Sequence, residues 1–540
     1  MAESLQNPAS GPQRQADSLT LNPTLSLALL IGITILAFFV MGYHPGLEDD
    51  AFYLAAIKKN LNPALFPHDS DFFRLQFQAT IFDKVVALSA RLSHLPLGWV
   101  VLLWQWAAIF FVLHGVWGIS RRCFANAPAQ WAAVALVAAL LTLPVSGTAI
   151  NLADQYLHPR TVATAAVLAA IVELLDARGN ARRLWLAGVL LAVAFSIHAI
   201  MASFGISFCV FLWWTQRKWI QQGPSGLARL CSLAMVVMPF GWIFEPASDA
   251  WRQAAATRGF YFVSRWQWYE WLGVFGPLVL LCAFRFWVGN NPAEKGRALA
   301  PEGPRETAFI PFVLALLYYG IFQTIVGLAI VLPPSLERLR PLEPMRYLHL
   351  LYLLFFLIAG GLLGQYILGR RVYRWLVLFL PLGAGMFYAQ RQMYPATAHL
   401  ELPEGALPGL ALSNPWLEAF AWIRQNTPTD SLFALDPHYV TLPGEDYHGF
   451  RALAERSVLA DYDKDGGMAA RVPHLAPRWL REVTAQSGWR TFQAADFQRL
   501  KSEFGVNWVI LSRSDRAFSD SPPGWTCPYR NELVAVCHLY

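Results

Sequence analysis

Charge is what this chain has least of. Asp, Glu, Lys and Arg together supply 14% of its 540 residues, against about 25% in a typical soluble protein. A fold surrounded by water on every side is excluded by that shortfall. The 55% hydrophobic content and mean hydropathy of +0.36 point to an integral membrane protein. Cysteine is scarce and unclustered. Cys123, Cys209, Cys231 and Cys282 are scattered through apolar segments, where they read as small buried thiols and not as a metal centre. The chain also has no G-x-G-x-x-G, Walker loop, G-x-S-x-G or H-E-x-x-H motif and no apparent internal repeat, so nucleotide binding by a known loop is unsupported.

Apolar runs are plentiful. A spanning helix needs about 20 mostly apolar residues. Such runs fall near 24–43, 97–118, 129–145, 160–177, 183–197, 199–216, 228–245, 270–288, 308–332, 346–368 and 372–390. The expected fold is mostly α, a polytopic membrane protein with about 11 transmembrane helices followed by a small soluble α/β domain. Residues 1–23 are polar and turn-rich, as in a disordered cytoplasmic tail. The run after them is too long for a signal-peptide core and lacks an A-x-A-like site, so it reads as an uncleaved first span. Residues 24–390 form the transmembrane domain and 391–540 the soluble one. The first 390 residues hold 28 basic and 19 acidic groups, and the remainder 14 and 17. The positive excess belongs to the membrane half, which favours anionic lipid headgroups over nucleic acid as its partner.

With the N-terminus cytoplasmic, the inner loops "SRRCFANAPAQ", "DARGNARR" and "GRRVYR" are basic, while the outer "SGTAINLADQYLHP" has no Lys or Arg. Arg252, Arg258, Arg265, Arg338 and Arg340 on later outer loops run against this trend. An odd number of spans places 391–540 outside. There Cys527 and Cys537 can form a hairpin disulfide or remain thiols. In that region "NPWLEAFAWIRQNTP" reads as a helix capped by Asn414 with Pro415 in its first turn. "SLFAL" and "NWVILS" read as strands, with "APRWLREVTAQ" and "AADFQRLKSEFG" as helices between them and Gly505 as a stop.

Polar residues collect on the outer side. The long first outer loop, 43–96, contains "GLEDDAFYLAAIKKN", with Glu48, Asp49 and Asp50 in succession. Three carboxylates at a bilayer edge need water, a cation or a substrate to compensate them; capping the helix that follows is the plainer alternative. Phe73, Phe77, Ile81, Val85 and Leu88 repeat at helical spacing, as in an amphipathic interfacial helix or an ordinary connector. In "NLADQYLHPRTVA", Asp154, His158 and Arg160 precede the fourth span, combining a carboxylate, an imidazole and a guanidinium. The alternative is a Pro159 helix start with Arg160 snorkelling. His198 lies where the fifth and sixth runs meet, a place where a histidine more often packs than reacts. Arg346 in "PLEPMRYLHLL" begins a span and can face its core.

"EDDAFY" in a long first outer loop, "HPR" closing a second one, and "WIRQNTPTDSLF" opening an outside domain together resemble the membrane glycosyltransferases of the C superfamily, in an uncharacterised bacterial-type member. The "WWDYG"-type signature of oligosaccharyltransferases is missing, and "WQWYEW" at 266–271 is a chance echo. The resemblance implies an inner-membrane enzyme with a periplasmic C-terminal domain. It would transfer sugar from a polyprenyl-phosphate donor to a glycan, lipid or protein acceptor. Asp49 would be the general base, assisted by Asp50 or Glu48, while Asp154, His158, Arg160, His198 and Arg346 bind substrate. A divalent cation, Mg or Mn, would have Asp49, Asp50 and Asp154 as its donors. The rival readings are a transporter or lipid flippase, which calls for ionisable groups at the bilayer midplane, and a non-catalytic membrane scaffold.

Overall fold

In a computed structural model the described residues are 22–73, 78, 80–177, 179–217, 247–290, 308–403, 414–519 and 525–539. The chain is mostly helical, with a small sheet near its C-terminus. Seven helices among the described residues are long and apolar enough to cross a bilayer: Pro23–Met41, Leu97–Cys123, Ala199–Gln216, Trp268–Phe286, Phe309–Val331, Pro344–Leu368 and Val372–Met393. This is an integral membrane protein. Shorter helices, Ala127–Ala139, Pro159–Ala177 and Ala181–Ile197, occupy three further expected runs, while the run 228–245 lies outside the described residues.

Local chemistry sets several helix starts. Asn22, Asn126 and Asn180 each accept an amide of the first turn through the side chain, and Pro23 and Pro128 follow the first two. The third run is shorter than expected. Its helix stops at Ala139, and residues 140–158 continue as a largely buried irregular segment. Pro144 cannot extend a helix, and a bridge between Pro144 and Asn151 folds the chain back. Val145 donates to Ile150 O and Ala153 to Leu141 O, so protein partners satisfy this non-helical backbone.

Small residues bring two helices together. A Cβ on Gly360 would sit 2.6 Å from Ala132 O, and one on Gly364 2.4 Å from Pro128 O. The Pro344–Leu368 span therefore lies backbone to backbone against Ala127–Ala139, a contact that only the glycines permit.

The first loop divides in two. Asp50–Leu61 is a helix with its apolar face inward. A second helix, Phe82–Ser93, buries Phe82, Val86, Ala87 and Ala90 and exposes Ile81, Val85, Leu88 and Leu92. The expected continuous stripe is thus corrected: Phe73 is fully buried, Phe77 is outside the described residues, and only the part from Ile81 onward faces out.

The C-terminal sheet has the order β2-β1-β3-β5-β4, with β1 Leu432–Ala434, β2 Ser457–Val458, β3 Trp508–Ser512, β4 Thr526–Arg530 and β5 Val534–His538. β1 runs parallel to β2 and β3, and β5 antiparallel to β3 and β4. Phe420 and Ile423 of the helix Pro415–Asn426 cover one face with Phe433 and Val536. Phe497, Leu500 and Trp489 cover the other with Leu511 and Ala535. Burial on both faces explains why "WVIL" shows no alternation. Cys527 and Cys537 are joined as a disulfide between β4 and β5.

Gly364→Leu is expected to lower stability by about 1–3 kcal/mol through overpacking. Gly383→Leu, where nothing lies within 4 Å, should not. Thermal unfolding in detergent distinguishes the two.

Candidate functional site

The acidic triplet is split by helix phase. Asp50, the first residue of its helix, turns inward; it is almost fully buried and its Oδ2 accepts the Gly46 amide at 2.6 Å. Burial pushes its carboxyl up to about 7, with the Gly46 amide and Lys58 opposing. Glu48, in a left-handed conformation (φ 52°), pairs with Lys464 Nζ. Asp49 is half-buried. Its amide donates to Tyr156 Oη at 3.4 Å. Its carboxylate makes no ion pair or side-chain hydrogen bond among the described residues. Burial alone would raise its pKa, yet Lys464, Arg258, Arg471 and His158 together hold it well below the usual carboxylate range.

The guanidinium and ammonium groups around Asp49 come from four parts of the chain. Arg160 opens the helix Pro159–Ala177 and is 1% exposed. Its Nη2 donates to both oxygens of Asp154 at 2.6 Å, while its Nε and Nη1 have no partner among the described residues. Arg346, also buried, pairs with Glu343 at 2.6 Å and lies over the Phe260 ring at 5.4 Å, and its Nε has no partner among the described residues. Arg471, partly buried, takes the other oxygen of Glu343 at 2.9 Å, and its Nε likewise has no partner among the described residues. Arg258 extends along Gly467, where a Cβ would strike its guanidinium, and touches Lys464 O at 3.4 Å.

His158 is buried, and its Nδ1 accepts the Arg160 amide at 2.9 Å, so the neutral ring carries its proton on Nε2. Burial and then Arg160 hold its pKa well below the usual value. The ring contacts Tyr53 edge-on at 4.9 Å and stacks near His198 at 6.1 Å. Gln105 and His349 grip the segment before it, through Asp154 O and Leu152 O.

All the expected site residues except Asp50 therefore meet in one neighbourhood. The donor set Asp49, Asp50 and Asp154 does not fit a divalent cation: Arg160 takes both oxygens of Asp154, Asp50 is turned toward Gly46, and no cluster of three His, Cys, Asp or Glu converges among the described residues.

Lys464, Arg471 and Glu343 were not anticipated. The first two bracket the helix Lys464–Arg471, whose seven-residue spacing places both on one face, two turns apart; "KDGGMAAR" held that signal. The helix is anchored by Arg451, which pairs with Asp465 at 2.8 Å and with Asp69 of the first loop. Removing one member of so buried a set leaves an uncompensated charge. Beside Arg346 a crevice of about 10 Å³ is lined by Phe260, Tyr261 and Glu343, room for roughly one water.

A family model for a domain of unknown function (DUF6798) matches residues 414–481, a stretch that includes the helix bearing Lys464 and Arg471. No curated protein matches. Among solved structures, the Archaeoglobus fulgidus oligosaccharyltransferase in complex with Zn and sulfate is similar at 13% identity and TM-score 0.40, over 90% of this chain and 67% of that one. ArnT from Cupriavidus metallidurans bound to undecaprenyl phosphate is similar at 13% identity and TM-score 0.40, over 96% and 98%. Its apo state gives 12% and 0.38, over 95% and 98%. Likeness at this level leaves the chemistry to be read from the residues themselves.

Because the folded pKa of Asp50 is raised, its neutral form favours folding. That contribution is complete below the unfolded value of about 3.9 and is lost as pH rises through about 7. Asp50→Asn should flatten the decline in thermal stability between about pH 4 and 7, measured by unfolding across that range.

Proposed function

We propose that the chain is a membrane glycosyltransferase. It moves a sugar from a polyprenyl-phosphate donor to an acceptor at the outer face of the membrane, with 391–540 as an extracytoplasmic domain closing over the site. The observation that carries this reading is an unengaged carboxylate, Asp49, set among buried and partly buried guanidinium groups whose inner N–H donors have no partner among the described residues: Nε and Nη1 of Arg160, Nε of Arg346 and Nε of Arg471. Buried donors of this kind cost about 1–3 kcal/mol each when unmet. A phosphate offers the acceptor oxygens that would meet them. The basic loops on the opposite side support the orientation.

In the proposed reaction the acceptor hydroxyl donates its hydrogen bond to Asp49. The hydroxyl oxygen bonds to the anomeric carbon as the carbon–oxygen bond to phosphate breaks on the opposite face, giving inversion. The proton passes to Asp49, and the bonding electrons leave with the lipid phosphate. Arg160, Arg346 and Arg471 stabilise that charge in a low-dielectric site, and His158 can donate from Nε2 to a substrate oxygen.

A carboxylate with so low a pKa is a weak base by itself. Donor binding changes this, because the phosphate neutralises the cations that depress Asp49, and its proton affinity then rises. Base strength would arrive with the substrate.

Asp49→Asn should reduce transfer by at least about 100-fold without changing thermal stability, measured in proteoliposomes with a polyprenyl-phosphate sugar. Wild-type turnover by this variant contradicts the mechanism. Arg471→Gln should raise the KM for donor by about tenfold, the worth of a charge-assisted hydrogen bond; an unchanged KM contradicts its role.

A further inference from the structure

Behind the helix that carries Lys464 and Arg471 lies a second cleft, of about 620 Å³, which the site around Asp49 does not use. Its walls are the helix Asp249–Ala256, the segment around Asp436 and His438, and the turn 486–491 that follows the helix Ala476–Ala485. We infer that this cleft binds a neutral oligosaccharide, the acceptor chain of the transfer reaction. Its role as acceptor site rests on the transfer reading above, while the binding itself does not.

Two observations select that ligand class. The first is an aromatic wall. The exposed His438 ring lies 4.5 Å from half-buried Tyr462, which in turn lies 6.0 Å from Trp479. Trp479 is 1% exposed and backs the wall from inside, so the ring faces open to the C–H face of a sugar are those of His438 and Tyr462.

The second is a split ion pair. Asp436 is 7% exposed and its Oδ1 accepts the His438 amide at 2.9 Å. Its Oδ2 accepts no hydrogen bond among the described residues and stands 3.9 Å from Arg490 Nε. That gap is too wide for a direct hydrogen bond. It suits a hydroxyl lying about 2.8 Å from each, which would donate to the carboxylate and accept from the guanidinium. The pair has no net charge, so it favours a polyol over a phosphate or a cation.

The placement also fits a chain running toward the catalytic residues. Tyr462 lines the cleft, and Lys464, two residues on, pairs with Glu48. Ala256 lines it too, and Arg258, two residues on, acts on Asp49. Two short stretches of chain, Tyr462–Lys464 and Ala256–Arg258, thus connect the cleft lining to the surroundings of Asp49.

The test is a glycan array probed with full-length protein in detergent, followed by titration of the strongest neutral oligosaccharide. Wild-type protein should bind it saturably in the absence of any donor. Arg490→Ala, at an exposed position that does not threaten folding, and Tyr462→Ala should each weaken binding by about tenfold or more. Absence of any glycan binding, or binding indifferent to both substitutions, overturns the inference. If the cleft binds glycan but wild-type protein transfers no sugar, the cleft stands and the catalytic reading fails.

Discussion

Buried guanidinium groups that outreach their own carboxylates are the constraint on which the rest depends. Asp154 neutralises part of Arg160, and Glu343 is shared between Arg346 and Arg471. Each pairing leaves N–H groups without an acceptor among the described residues. Taking such groups out of water is costly unless something pairs with them. The fold meets this cost at one place only partly, and Asp49 remains beside it as an unengaged charge. On the proposed reading, an anion would meet these donors.

Holding these charges together takes the whole chain. The segment 151–158 is irregular because Pro144 ends the third helix early, and it is kept in place by Gln105 and His349. The glycine contact between Gly360, Gly364 and the helix Ala127–Ala139 sets how closely the Arg346 span approaches that segment's neighbour. From the opposite direction, Arg451 ties the helix of Lys464 and Arg471 to Asp69 of the first loop. Membrane helices therefore supply Arg160 and Arg346, while the C-terminal part supplies Lys464 and Arg471. Neither half forms the charge arrangement alone.

The sequence shows most clearly what depends on near neighbours. Asn414 with Pro415 and Gly505 at a helix end act within a turn or two and appear as read, and seven of the eleven expected runs are helices of spanning length among the described residues. Asp49, His158, Arg160 and Arg346 stood out because charge at a bilayer edge demands compensation. What stayed hidden depends on distant contacts. Asp50 could not be told from Asp49 without the phase of their helix against the Gly46 turn. Phe73 looked like part of an exposed stripe until the first loop folded under the C-terminal part. Arg471 is about 300 positions from Arg160, and only packing makes them neighbours.

The central claim is that the cationic groups around Asp49 hold a lipid-linked phosphate. Native mass spectrometry of purified protein titrated with a polyprenyl phosphate tests it most directly. Wild-type protein should retain the lipid, and Asp49→Asn should retain it as well or better, since a negative charge has been removed from the site. Arg346→Gln should lose it. Equal retention by all three proteins, or none by any, would contradict the account.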